Sequence, residues 1–154
     1  MKIEYDDKNV RVTLANMQKN TKNTKIALNL IGDVLVKSVR QNFIKGGRPN
    51  PWKKSSGKKT LIGLGMQGGL MSSIHYQIDG NTVTVMPDKR PYAAIHQFGG
   101  TIKAKNAKNL KFKVKGQWVS KKEVVIPKRE YMLIQDDDNV RINELLAKYI
   151  TEGK

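Results

Sequence analysis

Apolar side chains recur at intervals of three and four between residues 23 and 43, and this pattern constrains the fold more than any other feature of the chain. The spacing places them on one face of an α-helix, and no proline interrupts it. A helix of about 20 residues measures roughly 30 Å. Gly46 and Gly47, followed by Pro49, predict where it ends. The apolar face consists of Ile26, Leu30, Ile31, Val34, Leu35 and Val39.

Two antiparallel hairpins are predicted beyond this helix. Residues 74–78 alternate between apolar and polar, an Asp-Gly-Asn turn lies at 79–81, and residues 83–85 alternate back. In the second hairpin, residues 110–114 form one strand and residues 118–126 return as the other. Because a lone hairpin is marginally stable, we expect the four strands to join one sheet.

Helices are also predicted near both ends of the chain. Residues 1–5 suggest a short strand, and apolar residues at helical spacing follow it. Three consecutive aspartates at 136–138 precede apolar positions up to residue 150, so they are expected to begin and cap a helix rather than to bind a metal. The prediction is therefore an α+β fold: an antiparallel four-stranded, or slightly larger, sheet packed against a long N-terminal helix and a C-terminal helix.

The chain has 154 residues, which suits a single domain over residues 1–154. Its net charge of +16 is concentrated in two segments predicted as flexible basic loops, at about 45–69 and 101–122. It has no cysteine, which excludes disulfides and a thiolate metal site. No apolar run approaches the roughly 20 residues that span a bilayer, and residues 1–5 lack the apolar stretch of a signal peptide. We expect no membrane contact, no cofactor, and assembly in the cytoplasm.

Residues 91–100 have proline at one end and two glycines at the other, an asymmetry typical of a short helix. Tyr92, Ile95 and Phe98 fall three positions apart within it. We expect all three to be buried on one side of the helix, which would make the segment a plug in the core.

His96 and Gln97 are the polar pair of this segment. A hydrolase would use His96 as a general base, but it would also need a nucleophile and an orienting carboxylate, and neither Ser72 nor Ser73 lies in a nucleophile-elbow motif. We therefore expect no catalysis. Instead, the two side chains are predicted to hydrogen-bond backbone groups near the Gly99–Gly100 turn.

The segment 92–100 resembles the signature of the phage virion morphogenesis family, which includes the Mu-type tail-completion and head–tail joining proteins. The residues that carry this resemblance are Tyr92, Ile95, His96, Gln97, Phe98, Gly99 and Gly100. Further stretches follow the family's order, so the resemblance spans residues 26–150. They are Asn42-Phe43 with Gly46-Gly47-Arg48-Pro49 and Trp52; Gly68, Leu70, Ser73 and Ile74; and Ile126-Pro127-Lys128-Arg129 with Tyr131.

This resemblance implies a structural protein of the virion neck or tail end, acting in tail completion and head–tail joining. It implies a homo-oligomeric ring, hexameric as in the family, whose neighbours are portal, connector, tail-tube or tail-terminator proteins. Trp52, beside Arg48 and Pro49, is expected either to anchor the basic loop to the core or to lie in an interface, and anchoring is favoured because buried tryptophans mostly pack.

The alternative function is nucleic-acid binding, because aromatic residues interspersed with lysines suit stacking and phosphate contact. Lysines outnumber arginines, which favours contact with the phosphate backbone over base recognition. The two functions are compatible, since a neck ring surrounds the passing genome. The candidate contacts to DNA or to a partner are Lys53, Lys54, Lys58, Lys59, Lys103, Lys105, Lys108, Lys111, Lys113 and Lys115.

Overall fold

The computed structural model describes residues 7–53, 69–88, 92–105, 107–114 and 116–153. These residues form four α-helices and six β-strands, with a short 3-10 turn at Met71–Ser73. In chain order they are α1 (Lys8–Lys22), α2 (Thr24–Lys45), β1 (Ile74–Asp79), β2 (Thr82–Pro87), α3 (Ala93–Phe98), β3 (Gly100–Lys103), β4 (Leu110–Val114), β5 (Gln117–Lys121), β6 (Glu123–Ile126) and α4 (Asp136–Glu152). The helix predicted over residues 23–43 is confirmed as α2, and the helices predicted near both ends are confirmed as α1 and α4.

The chain divides into two compact units, and the first contains the residues up to Lys37, Tyr76–Val85 and the residues from Ile134 onward. The second contains Ser38–His75 and Met86–Leu133. Helix α2 and the β1–β2 hairpin each have residues in both units. The division therefore does not decide whether residues 1–154 form one domain, and the single domain stays a prediction. Among the helices of the described ranges, none is both long and apolar enough to cross a membrane.

In the first unit, α1 and α4 pack against each other, and Tyr149 fixes the junction between α1 and α2. Its ring is 3% exposed, and its hydroxyl lies 3.1 Å from the Asn20 carbonyl oxygen and 3.0 Å from that of Asn23. The amide of Asn20 in turn donates to the carbonyl of Ile150 at 3.0 Å. These bonds tie the end of α1 to the last turns of α4.

Within the same unit, Gly32 allows strand β1 to approach α2 closely. A Cβ atom at this position would lie 2.5 Å from the ring of Tyr76, a distance that two carbon atoms cannot adopt. The Tyr76 hydroxyl donates to the side-chain oxygen of Asn29, one turn earlier on α2, at 3.0 Å. A glycine inside a helix lowers helix stability by up to about 1 kcal/mol relative to alanine. At position 32 the missing side chain allows the Tyr76 ring to pack against the backbone of α2.

The first turn of α4 is closed by a capping box. The backbone N–H of Gln135, the N-cap residue, donates to the carboxylate of Asp138 at 2.8 Å, and the Gln135 side chain accepts from the Asp138 backbone in return. The prediction that the aspartates begin and cap this helix is therefore confirmed, and Gln135 completes the cap. The strand suggested at residues 1–5 lies outside the described residues.

The strands differ from the predicted four-stranded sheet. Within the described residues they form three separate antiparallel pairs, β1 with β2, β3 with β6 and β4 with β5. The first hairpin is confirmed, but the strand predicted over residues 118–126 is interrupted by a bend at Lys122. Its second half turns away from β4 and pairs with β3, so that Gly100 lies opposite Ile126 and Lys103 opposite Glu123.

Much of the range 101–122, predicted as a flexible basic loop, belongs to β3, β4 and β5. In β4 and β5 the half-buried Phe112 and Val119 lie among exposed residues, which gives this pair one inward face. The flexibility of this range stays a prediction. Of the other predicted loop, at about 45–69, residues 54–68 lie outside the described residues.

Candidate functional site

Tyr131 lies at the centre of a group of side chains in the second unit that are joined by hydrogen bonds and ring contacts. It is 2% exposed, and its ring centroid lies 4.9 Å from that of Phe43 on α2. Its hydroxyl donates to the carbonyl of Ala93, in the first turn of α3, at 3.1 Å. Burial raises the pKa of this phenol, so the hydroxyl stays protonated and able to donate. The residue thus joins the end of α2 to α3.

The side chain of Gln97 provides the second attachment of α3. Its carbonyl oxygen accepts from the backbone N–H groups of Tyr131, at 3.1 Å, and of Met132, at 3.0 Å. One amide oxygen therefore satisfies two consecutive donors of an extended segment that has no strand partner in the structure described. We call Asn42, Phe43, Ala93, Gln97 and Tyr131 the Tyr131 cluster.

Asn42 connects this cluster to the exit of the long helix. It is completely buried, and its amide donates to the carbonyls of Tyr131 at 2.8 Å and Leu133 at 3.2 Å. Its oxygen accepts from the guanidinium of Arg48 at 2.8 Å. The same guanidinium donates to the backbone oxygen and to the hydroxyl of Ser38, at 2.8 and 2.7 Å. Arg48 therefore folds the chain back along the last turns of α2.

The glycine exit of α2 makes this return possible. Gly47 has φ +114°, and a Cβ atom there would lie 2.6 Å from the carbonyl oxygen of Asn50. The backbone N–H of Trp52 donates to the Gly46 carbonyl. The Trp52 ring packs edge-on against the Phe43 ring, with their centroids 5.7 Å apart. Trp52 thus lies at a position suited to an anchor of the basic loop. Whether Trp52, Arg48 and Pro49 anchor that loop or lie in an interface stays a prediction.

The predicted burial of Tyr92, Ile95 and Phe98 on one side of α3 is wrong. Tyr92 is 39% exposed and Phe98 is 72% exposed, while Ala93 is buried. The reason is geometric: steps of three residues drift around a helix by about 60° each, so Tyr92 and Phe98 are about 120° apart. Ala93 and Gln97, four residues apart, share the inward face instead.

The exit of α3 requires glycine, as predicted. Gly99 has φ +71°, and its N–H donates to the Ile95 carbonyl at 2.9 Å. A Cβ atom at this position would lie 2.8 Å from the backbone nitrogen of Lys128. The positive φ and the close approach of the segment after β6 therefore both disfavour a side chain at this position.

His96 and Gln97 make hydrogen bonds, but not to the Gly99–Gly100 turn as predicted. Gln97 bonds the segment at Tyr131, and the carbonyl of His96 accepts from the backbone N–H of Arg129 at 2.8 Å. The imidazole Nδ1 of His96 lies 3.4 Å from the Arg129 guanidinium. A guanidinium only donates, so this nitrogen acts as the acceptor of a neutral ring. Partial burial of the ring, together with the positive charge of Arg129, lowers the pKa of His96.

The lowered pKa predicts how stability responds to acid. Because folding favours neutral His96, its contribution to the free energy of unfolding is complete above the unfolded-state pKa of about 6.5 and is lost as the pH falls through the lower folded-state value. Urea unfolding between pH 8 and 5 should therefore show wild type losing more stability than His96→Asn. His75 is common to both chains, so its contribution cancels in the difference. Parallel stability curves would contradict the prediction.

The third family motif packs in the same unit. Leu70 and Ile74 are each 1% exposed, and the Arg40 guanidinium on α2 donates to the Ile74 carbonyl at 3.0 Å. The hydroxyl of Ser73 donates to the Leu70 carbonyl and that of Ser72 to the Gly69 carbonyl, both at 2.7 Å. Gly68 lies outside the described residues. These serine hydroxyls bond their own turn, whereas the His96 imidazole faces Arg129.

An open groove of about 580 Å³ lies beside α3. Apolar atoms of Ala94, Phe98, Met132 and Pro87 contribute to its wall, and Asp88 lies at the same place. Phe98 is 72% exposed and adjoins the other apolar atoms of the groove, and a contiguous exposed apolar surface commonly marks an interface. Within the described ranges, no group of three or more His, Asp or Glu residues could hold a metal ion.

The candidate lysines that the structure describes lie in several different segments. Lys111 and Lys113 are exposed on β4, whereas Lys103 pairs with Glu123 at 3.6 Å. Lys53, Lys105 and Lys108 are exposed in segments outside the helices and strands. The others, Lys54, Lys58, Lys59 and Lys115, lie outside the described residues.

Sequence reasoning missed the most connected residues of the site. Asn42 was singled out only as part of a motif, yet a polar residue in line with Val39 and Phe43 on a helix indicates a buried hydrogen bond. Tyr131 gave a weaker signal, because a lone aromatic after a charged stretch has no periodicity to place it. Arg129 is 8% exposed, which a position in a basic run does not suggest.

Comparison with known proteins agrees with the arrangement of these motifs. The sequence profile of the phage virion morphogenesis family matches residues 5–151, and the chain belongs to this family. The chain is 32% identical over 119 residues to Mu-like prophage FluMu G protein 2 of Haemophilus influenzae. The aligned region covers 77% of this chain and 72% of that protein. No solved structure matches the chain. Membership indicates a structural role in virion morphogenesis rather than catalysis.

Proposed function

We propose that this chain is a structural subunit of the virion neck or tail end and acts in tail completion and head–tail joining. The observation that carries the proposal is the family match over residues 5–151, which includes every element of the Tyr131 cluster. The cluster supports a structural role, because its polar side chains are engaged in hydrogen bonds between segments. The neighbours in this role are portal, connector, tail-tube or tail-terminator proteins.

We further propose that the subunits form a homo-oligomeric ring, hexameric as in the family, in which the groove beside α3 receives a second copy of this chain. Phe98, 72% exposed, supplies the apolar contact. Asp88 supplies a carboxylate whose side chain is 58% exposed, and a chain with a net charge of +16 offers many cations to meet it. In a closed ring each such patch meets a different one on the next subunit.

The ring is tested by the solution mass of the purified protein over a range of concentrations. We expect wild type to form a closed oligomer and Phe98→Ser to shift toward the monomer, because the substitution removes the exposed apolar contact. Trp118→Ser is the matched control: this aromatic is 71% exposed on β5 and should leave the mass unchanged. A wild-type protein that stays monomeric throughout would contradict the ring.

The location is tested by electron microscopy of purified particles in which this chain carries a C-terminal tag. Labelling at the neck or tail end supports the proposal. Complete particles that lack the chain would contradict it.

A further inference from the structure

The β4–β5 hairpin, which we call the ribbon, has two chemically different faces. Directly opposed residues of an antiparallel pair project to the same side. Phe112 lies opposite Val119 on one face, and both are half-buried. On the other face Lys113 lies opposite Trp118, and Lys111 opposite Ser120, and all four are exposed. The ribbon therefore presents a solvent face of lysines around one tryptophan.

Trp118 orders part of this face. It is 71% exposed, and the ammonium group of Lys113 lies 5.1 Å from the centroid of its ring. A cation over an exposed indole is stabilised by about 0.5–1 kcal/mol. The contact reduces the freedom of the lysine side chain, so less entropy is lost when its charge meets an anion.

The positive charge of the ribbon is not balanced locally. Residues 107–122 contain six lysines and no acidic residue. Nearby lysines do have carboxylate partners: Lys103 pairs with Glu123, and Lys128 with Glu130 at 2.8 Å. Within the described part of the chain, neither Lys111 nor Lys113 has a carboxylate within ion-pair distance. The ribbon thus has a surplus of cations available to an external anion.

The chemistry of this surface favours nucleic acid over protein as the external anion. A second copy of this chain offers the ribbon few carboxylates, since it has 13 Asp and Glu residues against 29 Lys and Arg residues. Bidentate recognition of protein carboxylates favours arginine, whereas every basic residue of the ribbon is lysine, which contacts phosphate as a point charge. A two-stranded ribbon is also narrow enough to enter the major groove of B-form DNA.

We propose that the solvent face of the ribbon binds the phosphate backbone of double-stranded DNA without sequence preference. Lys111 and Lys113 contact phosphates, and Trp118 holds Lys113 in place. The inference goes beyond the proposed structural role and does not depend on it, because the ribbon's geometry and charge carry it alone.

The test is fluorescence anisotropy of a labelled 20-base-pair duplex of random sequence, titrated with the full chain at several salt concentrations. Each phosphate contact contributes a slope of about −0.9 to the plot of log K against log salt. The double variant Lys111→Gln/Lys113→Gln should therefore reduce the slope by about 2 and weaken binding at 0.1 M salt on the order of ten- to a hundredfold. Trp118→Leu should weaken binding only a few-fold.

The matched control is Lys25→Gln/Lys37→Gln, which removes the same charge from exposed positions of α2. It should bind the duplex within about twofold of wild type, and circular dichroism checks that both double variants are folded. Three results would overturn the proposal: an equal loss in the control, tighter binding of a single strand of the same length, or equally tight binding of a polyglutamate peptide of matched charge. None of them alters the solution mass or the location in particles, so failure here is distinct from failure of the proposed function.

Discussion

Replacing Tyr131 with alanine is expected to destabilise the protein by about 3–5 kcal/mol, because truncating a fully buried aromatic removes its packing and leaves a cavity. The substitution also removes the hydrogen bond to the Ala93 carbonyl and the contact with Phe43. Urea denaturation followed by circular dichroism measures the loss. At the upper end of this range the change equals a large share of a small domain's total stability.

Tyr131→Phe separates packing from hydrogen bonding. It keeps the ring and removes only the hydroxyl, so the expected loss is about 1 kcal/mol. Trp118→Ala is the control for an exposed aromatic and should change stability by no more than about 1 kcal/mol, because it removes only the contact with Lys113. A Tyr131→Ala variant as stable as this control would refute the central place of Tyr131 in the fold.

Asn42→Ala is expected to cost about 3 kcal/mol. The substitution leaves the buried carbonyl of Tyr131 without a donor, and each such group costs about 1–3 kcal/mol. It also removes one acceptor of the Arg48 guanidinium and the hydrogen bond to the Leu133 carbonyl. Alanine is the better helix former, which offsets about 0.5 kcal/mol of the loss. The same denaturation experiment measures the difference.

Asn139→Ala is the matched control for Asn42→Ala, because this asparagine is exposed on α4. Its expected effect lies within about 0.5 kcal/mol of zero. If both alanine variants had the same stability, the hydrogen bonds of Asn42 would have no net stabilising effect.

Elements with a strong local pattern were predictable from the sequence. The extent of α2 and the Asp79-Gly80 turn of the first hairpin are determined by neighbours in the chain, and the structure confirms both. The predicted face of α2 is confirmed only in part, because Ile26 is exposed and Val36 is buried. The pairing of β3 with β6 was missed, because β3 has four residues and its partner lies more than twenty positions away. The β-branched residues Val124, Val125 and Ile126 favour a strand, but nothing in the local sequence indicates that the chain changes strand partner beyond Lys122.

The residues of the candidate site were predictable only as motifs. Local periodicity cannot assign a hydrogen bond such as that from the Tyr131 backbone N–H to the Gln97 side chain, which depends on how separate segments pack. The same limit explains the error at Phe98: a six-residue helix has too few positions for spacing alone to identify its buried face. The glycine exits were predictable because positive backbone angles restrict residue type at a single position.

The bond between Asn42 and Tyr131 joins positions 89 apart in the chain, and this separation has a consequence for biosynthesis. A ribosome adding about 5–20 residues per second needs several seconds to proceed from one to the other. During that interval the end of α2 has been synthesised, but Tyr131, whose ring packs against Phe43 in the folded protein, has not. A nascent or prematurely terminated chain that stops before Tyr131 therefore exposes an aggregation-prone surface, which only complete synthesis conceals.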